Sequence, residues 1–218
     1  MGITGWIHLA RDLRDAEPAL TAMAVVLAPV ALPTDVIRSA RRAALGHRGH
    51  PSGYADWRHP ERPDPDLSVV LDGRLSSRRN LEEQLYQRPR PLCSDAEVLL
   101  HAYRAWGAAM VQRIDGAYSI AVWDNLAREL LLIRDPLGAR TVFFSLLDGG
   151  VVFASQATAL LAHPELKPAV DASGHDQPIA LAPVCTPGPG IRDIAEVLPG
   201  ELVRHTPVGL HRAAIGLA

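Results

Sequence analysis

Residues 114–144 read IDGAYSIAVWDNLARELLLIRDPLGARTVFF, and this stretch decides the fold. From Ala117 the apolar residues come in short dense runs, "AYSIAVWD", "ELLLIRD", "TVFFSLLD" and then "VVFASQ". They are rich in the β-branched and aromatic types that suit a pleated surface. Asp-Asn, Pro-Leu-Gly and Asp-Gly-Gly clusters stand between them, the residue types that turn a chain sharply. The pattern predicts four strands in an antiparallel meander.

Upstream, Ser94 stands three residues before Glu97 at the head of "VLLHAYRAW", which is a capping box in front of a helix that Gly107 ends. "LSVVLDGRL" reads as a buried strand over Leu67–Leu75 closing on an Asp72-Gly73 turn, and "RRNLEEQLY" as a short helix after it. Residues 47–66 hold four prolines and two glycines without an apolar period, which predicts a long surface loop. Its aromatics Tyr54 and Trp57 are of the type enriched in partner contacts. The chain opens on "MGITGWI", a strand starting almost at the first residue, followed by a helix over Glu17–Leu27 that Pro29 and Pro33 stop. Downstream, "ATALLAHPEL" reads as a short helix closed by Pro164, residues 172–190 as a Pro- and Gly-rich segment, and "ELVRHTPVGLHRAAI" as a last hairpin. Helices interleaved with antiparallel runs give an α+β fold of stacked sheets flanked by helices.

Composition narrows function by exclusion. The 218 residues are 48% apolar, with 22 basic and 24 acidic side chains and a net charge of -2, which suits an ordinary globular domain. The basic residues are arginines except Lys167, spread along the chain and matched by acids, which argues against a nucleic-acid surface. Cys93 and Cys185 have no C-x-x-C spacing and read as buried thiols in a reducing compartment. The longest apolar run, residues 22–32, is half a bilayer span and is broken by Pro29, and no basic n-region opens the chain, so a cytoplasmic protein without membrane contact is expected. His47, His50 and His59 form an H-x-x-H pattern lacking a carboxylate, too weak a signal for a metal site.

Three blocks, "SDAEVLLHAYRAWG", the opening stretch and "FASQATALLAHPEL", resemble in order and spacing the glutaminase domain of asparagine synthetases, the class II glutamine amidotransferases. With "LDGRL" and "MGITGWI" in place of the family's corresponding strands, the resemblance covers nearly the whole chain and implies one glutaminase-like domain over residues 1–218. It implies the N-terminal nucleophile fold, a four-layer α/β/β/α sandwich. It also implies an N-terminal cysteine whose own α-amine acts as base to hydrolyse glutamine, the ammonia passing to a synthetase domain.

At the positions that carry this chemistry the chain departs from the family. The cysteine expected between Met1 and Gly2 is missing; the oxyanion-hole Asn-Gly pair is Asp72-Gly73; the Glu that recognises the substrate amine is Arg74; the Arg for the glutamine carboxylate falls on Gly49. Asp95 remains of that set and equally suits the first turn of a helix. The expectation is therefore a degenerate domain with no catalytic residue, no metal and no cofactor of its own, as in β-lactam synthetases and lasso-peptide macrolactam cyclases. No Ser-Gly-Gly-x-Asp loop occurs in the sequence, so ATP and Mg are implied only for an associated synthetase, in cis or in trans, whose substrate could be a peptide. The alternatives are a glutamine-hydrolysing domain whose cysteine is absent from this version alone, and a stand-alone module that binds a protein or peptide.

Overall fold

A strand that is apolar on both faces needs cover on both, and that requirement sets the architecture. The computed structural model describes residues 2–28, 36–49, 53–57, 64–86, 94–167 and 193–215. Among these, one antiparallel sheet contains β1 (Gly2–His8), β2 (Val36–Ser39), β3 (Ala43–Arg48), β8 (Phe143–Leu147), β9 (Gly150–Ala154) and β10 (Ala195–Glu196), in the order β10-β8-β9-β1-β3-β2. The other contains β4 (Tyr54–Trp57), β5 (Leu67–Leu75), β6 (Gly116–Asp124), β7 (Glu129–Arg134), β11 (Glu201–Thr206) and β12 (Gly209–Ala214), in the order β12-β11-β7-β6-β5-β4. Helices α1 (Glu17–Leu27) and α4 (Ala157–Leu160) cover the first sheet, and α3 (Asp95–Trp106), with α2 (Arg78–Leu85) packed on it, covers the second. The result is the expected α/β/β/α layering.

The dense apolar runs follow from this stacking. In β6, Ile120 and Val122 pack toward α3 with Leu99, Ala102 and Met110, while Ala121 and Trp123 turn to the facing sheet and meet Ile3, Ile7, Phe144 and Phe153. In β7, Leu131 and Ile133 point one way and Leu130 and Leu132 the other. The cover ends at the edge of the second sheet, where β12 leaves His211 to Ala214 exposed. The capping box is present: the Ser94 Oγ accepts from the Glu97 N–H at 3.1 Å and the Glu97 carboxylate from the Ser94 N–H at 2.7 Å. Gly107 ends α3 at φ 57°. Helix α1 has the bounds read from sequence, Pro18 occupying its first turn.

Three expectations need correction. Residues 47–66 are not one loop, because His47 and Arg48 close β3 in the sheet interior and Tyr54–Trp57 form the edge strand β4. The prolines masked a period that is only four residues long. Asp72 and Gly73 are not a turn: they lie within β5, opposite Ser119 and Tyr118 of β6. Gly73 sits at φ 120°, where an added Cβ would be 2.0 Å from the Ala117 carbonyl oxygen, so the glycine serves close strand pairing rather than a reversal. The four-strand meander is two hairpins, β6-β7 in one sheet and β8-β9 in the other. Residues 172–190, Cys93, Cys185, His50 and His59 lie outside the described residues, as does the Trp57 side chain.

The crossover between sheets is held by two adjacent charged residues. Asp135, fully buried, accepts four backbone N–H groups, from Leu137 and Ala139 on one oxygen and from Tyr118 and Arg140 on the other, at 3.0–3.3 Å. Its own carbonyl accepts from Gly138 and Gly200. Arg134, 3% exposed, donates to the Glu196 carboxylate at 2.5 Å, to the Val197 carbonyl at 2.9 Å and to the Gly138 carbonyl at 3.0 Å. Asp135→Asn places an amide NH2 against N–H donors. It should cost about 3 kcal/mol, read as a melting temperature lower by roughly 6–12 °C.

His163 ties the outer helical layer to β1. It is 2% exposed, its ring meets Trp6 edge-on at 4.5 Å between centroids, and its Nδ1 accepts from the Glu165 N–H at 3.3 Å. Burial pushes its pKa below 6.5, opposed by the Glu165 charge and reinforced by Arg11; burial alone does the same for His205. A histidine kept neutral by the fold binds its proton more readily when unfolded, so its stabilising effect is complete above pH 6.5 and is lost as pH falls below that value. Melting temperature measured from pH 8 to pH 5 should fall in the acid limb, and His163→Phe should flatten that limb.

Candidate functional site

The strand-like N-terminus meets β3 and β9 at the end of the sandwich where β5 also finishes. Gly2 pairs with Arg48, and Thr4 pairs with Ala154. An added Cβ on Gly2 would be 2.8 Å from both Cβ and Oγ of Ser155, the residue just past β9, so the first strand can approach this closely only as glycine. The Ser155 Oγ accepts from the Ile3 N–H at 2.9 Å and donates to the Asp72 Oδ2 at 3.1 Å. Its backbone is fixed as well: the Ser155 N–H donates to the Ile3 carbonyl and the Thr141 hydroxyl donates to the Ser155 carbonyl at 2.7 Å.

Strand alternation aims Asp72 at this spot. Val70 belongs to the core between the sheets, and Asp72, two residues on, faces the same way. Asp72 is 7% exposed; one oxygen takes the Ser155 hydroxyl and the other lies 3.9 Å from the Arg140 Nη1. Arg140 is positioned by Asp135, which accepts its N–H at 3.2 Å. Its side chain is 43% exposed, so the Asp72–Arg140 attraction is worth at most about 1 kcal/mol. Arg74, next on the same face of β5, is exposed at the mouth.

Arg48 and Gly49 flank the site from β3. The Arg48 guanidinium, 8% exposed, donates to the carbonyls of Ala24 and Ala28 at 2.8 and 2.5 Å and so closes the C-terminal end of α1. Gly49 follows at φ 127°, a backbone state that side-chain-bearing residues rarely adopt. Asp95 lies at the same end but on the helical side of its sheet. One carboxylate oxygen accepts from the Leu75 N–H at 3.1 Å and the other from Arg78 at 3.2 Å, so both are engaged in joining β5, α2 and α3.

The structure thus gathers Gly2, Gly49, Asp72 and Gly73 at one end of the sandwich, with Arg74 at the rim and Asp95 behind. Sequence reading missed Ser155 and Arg140, although "FASQ" and "LGAR" were already legible as blocks; nothing in a single sequence says that a serine just past one sheet will meet an aspartate in another. Tyr54, taken as an exposed contact, is half-buried, and its hydroxyl donates to Asp56 at 3.1 Å. Burial and the Asp56 charge raise its pKa. No group of three or more metal-ligating side chains occurs among the described residues, and no described helix is long and apolar enough to cross a membrane.

Chemically the cluster is rich in acceptors and poor in reactive groups. A carboxylate cannot donate a hydrogen bond, so Asp72 offers nothing to a developing oxyanion and would repel its charge. Ser155 is 3% exposed and its hydroxyl is committed on both sides, which marks it as a brace rather than a nucleophile. Ser155→Ala leaves a buried N–H and a buried carboxylate short of a partner and should cost about 2–3 kcal/mol. Asp72→Asn keeps an acceptor for Ser155 and should cost less than about 1 kcal/mol, so chemical denaturation of the two variants should rank them in that order.

A family model described as a glutamine amidotransferase domain matches residues 3–212. The glutamine-hydrolysing asparagine synthetase 3 of Bacillus subtilis (strain 168) is 28% identical over 219 residues, covering 96% of this chain and 35% of that protein. Asparagine synthetase 2 of the same organism is 32% identical over 101 residues, covering 46% of this chain and 14% of that protein. The chain therefore spans at most about a third of these relatives. Among solved structures, the glutamine phosphoribosylpyrophosphate amidotransferase of B. subtilis aligns over 100% of this chain and 50% of its own at a TM-score of 0.65 and 16% identity, a likeness of fold. A glutamine aminotransferase class-II domain protein of Silicibacter pomeroyi aligns over the whole of both chains at a TM-score of 0.51 and 12% identity.

Proposed function

This chain belongs to the glutamine amidotransferase domain family, of the kind found in asparagine-synthetase-like proteins, and we propose that within it the domain is non-catalytic. It serves an ATP-dependent amide-forming synthetase of the lasso-peptide macrolactam cyclase or β-lactam synthetase type. The observation that carries this reading is Asp72. In the position where the family presents an amide donor, the chain presents a buried carboxylate held by Ser155 and faced by Arg140. The loss is coordinated, because Gly2 has no side chain to attack with, Gly49 none to bind a carboxylate, and Arg74 repels an ammonium group.

A synthetase that joins a carboxylate to an amine already present in its substrate has no use for ammonia, so hydrolysis is redundant while the fold is retained. Domain faces that pack on a partner within one protein resemble transient protein interfaces, and their exposure is costly. ATP and Mg belong to the partner in this reading, since the chain has no pyrophosphatase loop of its own. The partner is a synthetase domain in cis or in trans, and the acyl substrate is a peptide or a β-amino acid.

The test is direct. Purified protein incubated with glutamine should release no glutamate above background, and a glutamine-analogue electrophile should leave its mass unchanged. Insertion of Cys after Met1 should not restore hydrolysis, because Asp72, Gly49 and Arg74 remain. Glutamate release that a single substitution abolishes would overturn the proposal.

A further inference from the structure

One side of the second sheet lacks the cover that the other has. Helix α3 lies over β4 and β5, whereas the outer face of β11 and β12, at the sheet's other edge, meets the 3-10 turn Gly107–Gln112. Between turn and strands runs an open groove of about 470 Å³, with Val111, Leu202, Ala213 and Ile215 as its apolar lining and Arg204 and His211 at its polar margin. Strand pairing puts the Leu202–Ala213 end of this groove at the end of the sandwich that holds Asp72. There Asp72 lies opposite Ser119, Ser119 opposite Arg134, and the neighbouring Ile133 opposite Leu202, which lies opposite Ala213.

The same end presents two leucines to water: Leu137 is 90% exposed and Leu198 40%. They stand on loops that Arg134 and Asp135 lock together. The Asp135 carbonyl accepts from the Gly138 and Gly200 N–H groups, Arg134 donates to the Val197 and Gly138 carbonyls, and a Cβ on Gly138 would be 2.7 Å from the Pro199 Cγ. A platform held this firmly loses little conformational freedom when a partner covers it. The Ile215 N–H donates to the Gly200 carbonyl at 2.7 Å, which joins groove and platform into one surface.

On the reading that this domain serves an ATP-dependent synthetase, we propose that the groove and the platform are where that synthetase domain docks. Two observations favour this occupant. Ile215, just past β12, lies on this face, so polypeptide joined after residue 218 departs within a few residues of it, and the chain covers 35% of the B. subtilis asparagine synthetase 3 that it matches. The marginal charges are balanced within the chain, Arg204 lying 3.5 Å from Glu129 and Arg212 2.6 Å from Glu201. That balance suits the mixed polar and apolar face of a contact between domains, and not an anionic polymer.

Hydrogen exchange read by mass spectrometry tests the surface. The full 218-residue chain is measured alone and in its assembly with the polypeptide of the same cell that carries a Ser-Gly-Gly-x-Asp loop, joined in one chain or separate. Docking should slow exchange at least tenfold in peptides spanning residues 107–112, 197–200 and 209–215, and should leave Val36–Ser39, at the far edge of the first sheet, unchanged. Leu137→Asp with Leu198→Asp should abolish that protection. Both replacements are at exposed positions and keep the melting temperature of the chain alone near that of the parent, which shows that the variant folds. Slowing confined to another face, or slowing undiminished in the double variant, would overturn the docking surface and leave the synthetase reading standing. No assembly, or one in which no segment of this chain is slowed, overturns both. A dimer of the chain alone in sedimentation velocity, dissolved by the double variant, would give the surface to a second copy and overturn the proposal as well.

Discussion

The Asp135 carboxylate, dry and ringed by four N–H donors, is the constraint on which the rest of the structure depends. A chain that leaves one sheet and enters the facing one exposes backbone donors at the crossing, where neither sheet can satisfy them. Asp135 satisfies four, and Arg134 beside it reaches Glu196, Val197 and Gly138, so the two residues fasten the β7 end, the crossover loop and β10 together. The charges sit on opposite errands, one collecting N–H groups and the other carbonyls. Burial strengthens the hydrogen bonds of both, which Arg134 makes through its terminal nitrogens while its Nε has no partner.

The same crossover shapes the functional end. Because Asp135 holds the Arg140 N–H, the Arg140 guanidinium is delivered toward Asp72, and Thr141, one residue on, braces Ser155. The site is therefore built from five places in the chain: the N-terminal strand, the end of β3, the middle of β5, the loop between hairpins and the residue just past β9. The start of β1 is presented at this end, and the frame that presents it is made of backbone pairing and core packing.

Asp72, at the end of the sandwich that holds Gly2, is a buried acid matched by Ser155 and Arg140. Where side chains leave the packed interior but still have walls around them, a layered fold has room for a ligand.

Much was determined by sequence alone. The apolar runs of residues 117–154, the Ser94–Glu97 capping box, the bounds of α1 and β5, and the final hairpin are local matters, set by propensity, capping and turn chemistry over a few residues, and the family was legible because its blocks are contiguous. What only the tertiary structure decided is partnership. That Asp72 lies inside a strand and not in a turn, that β7 and β8 belong to different sheets, that proline-flanked Tyr54–Trp57 pairs with β5, and that Ser155 binds an aspartate 83 residues away all depend on which strands face one another. The physical reason is that strand pairing and sheet stacking are non-local: the same short apolar run fits either sheet, and the choice is made by the packing of the whole core.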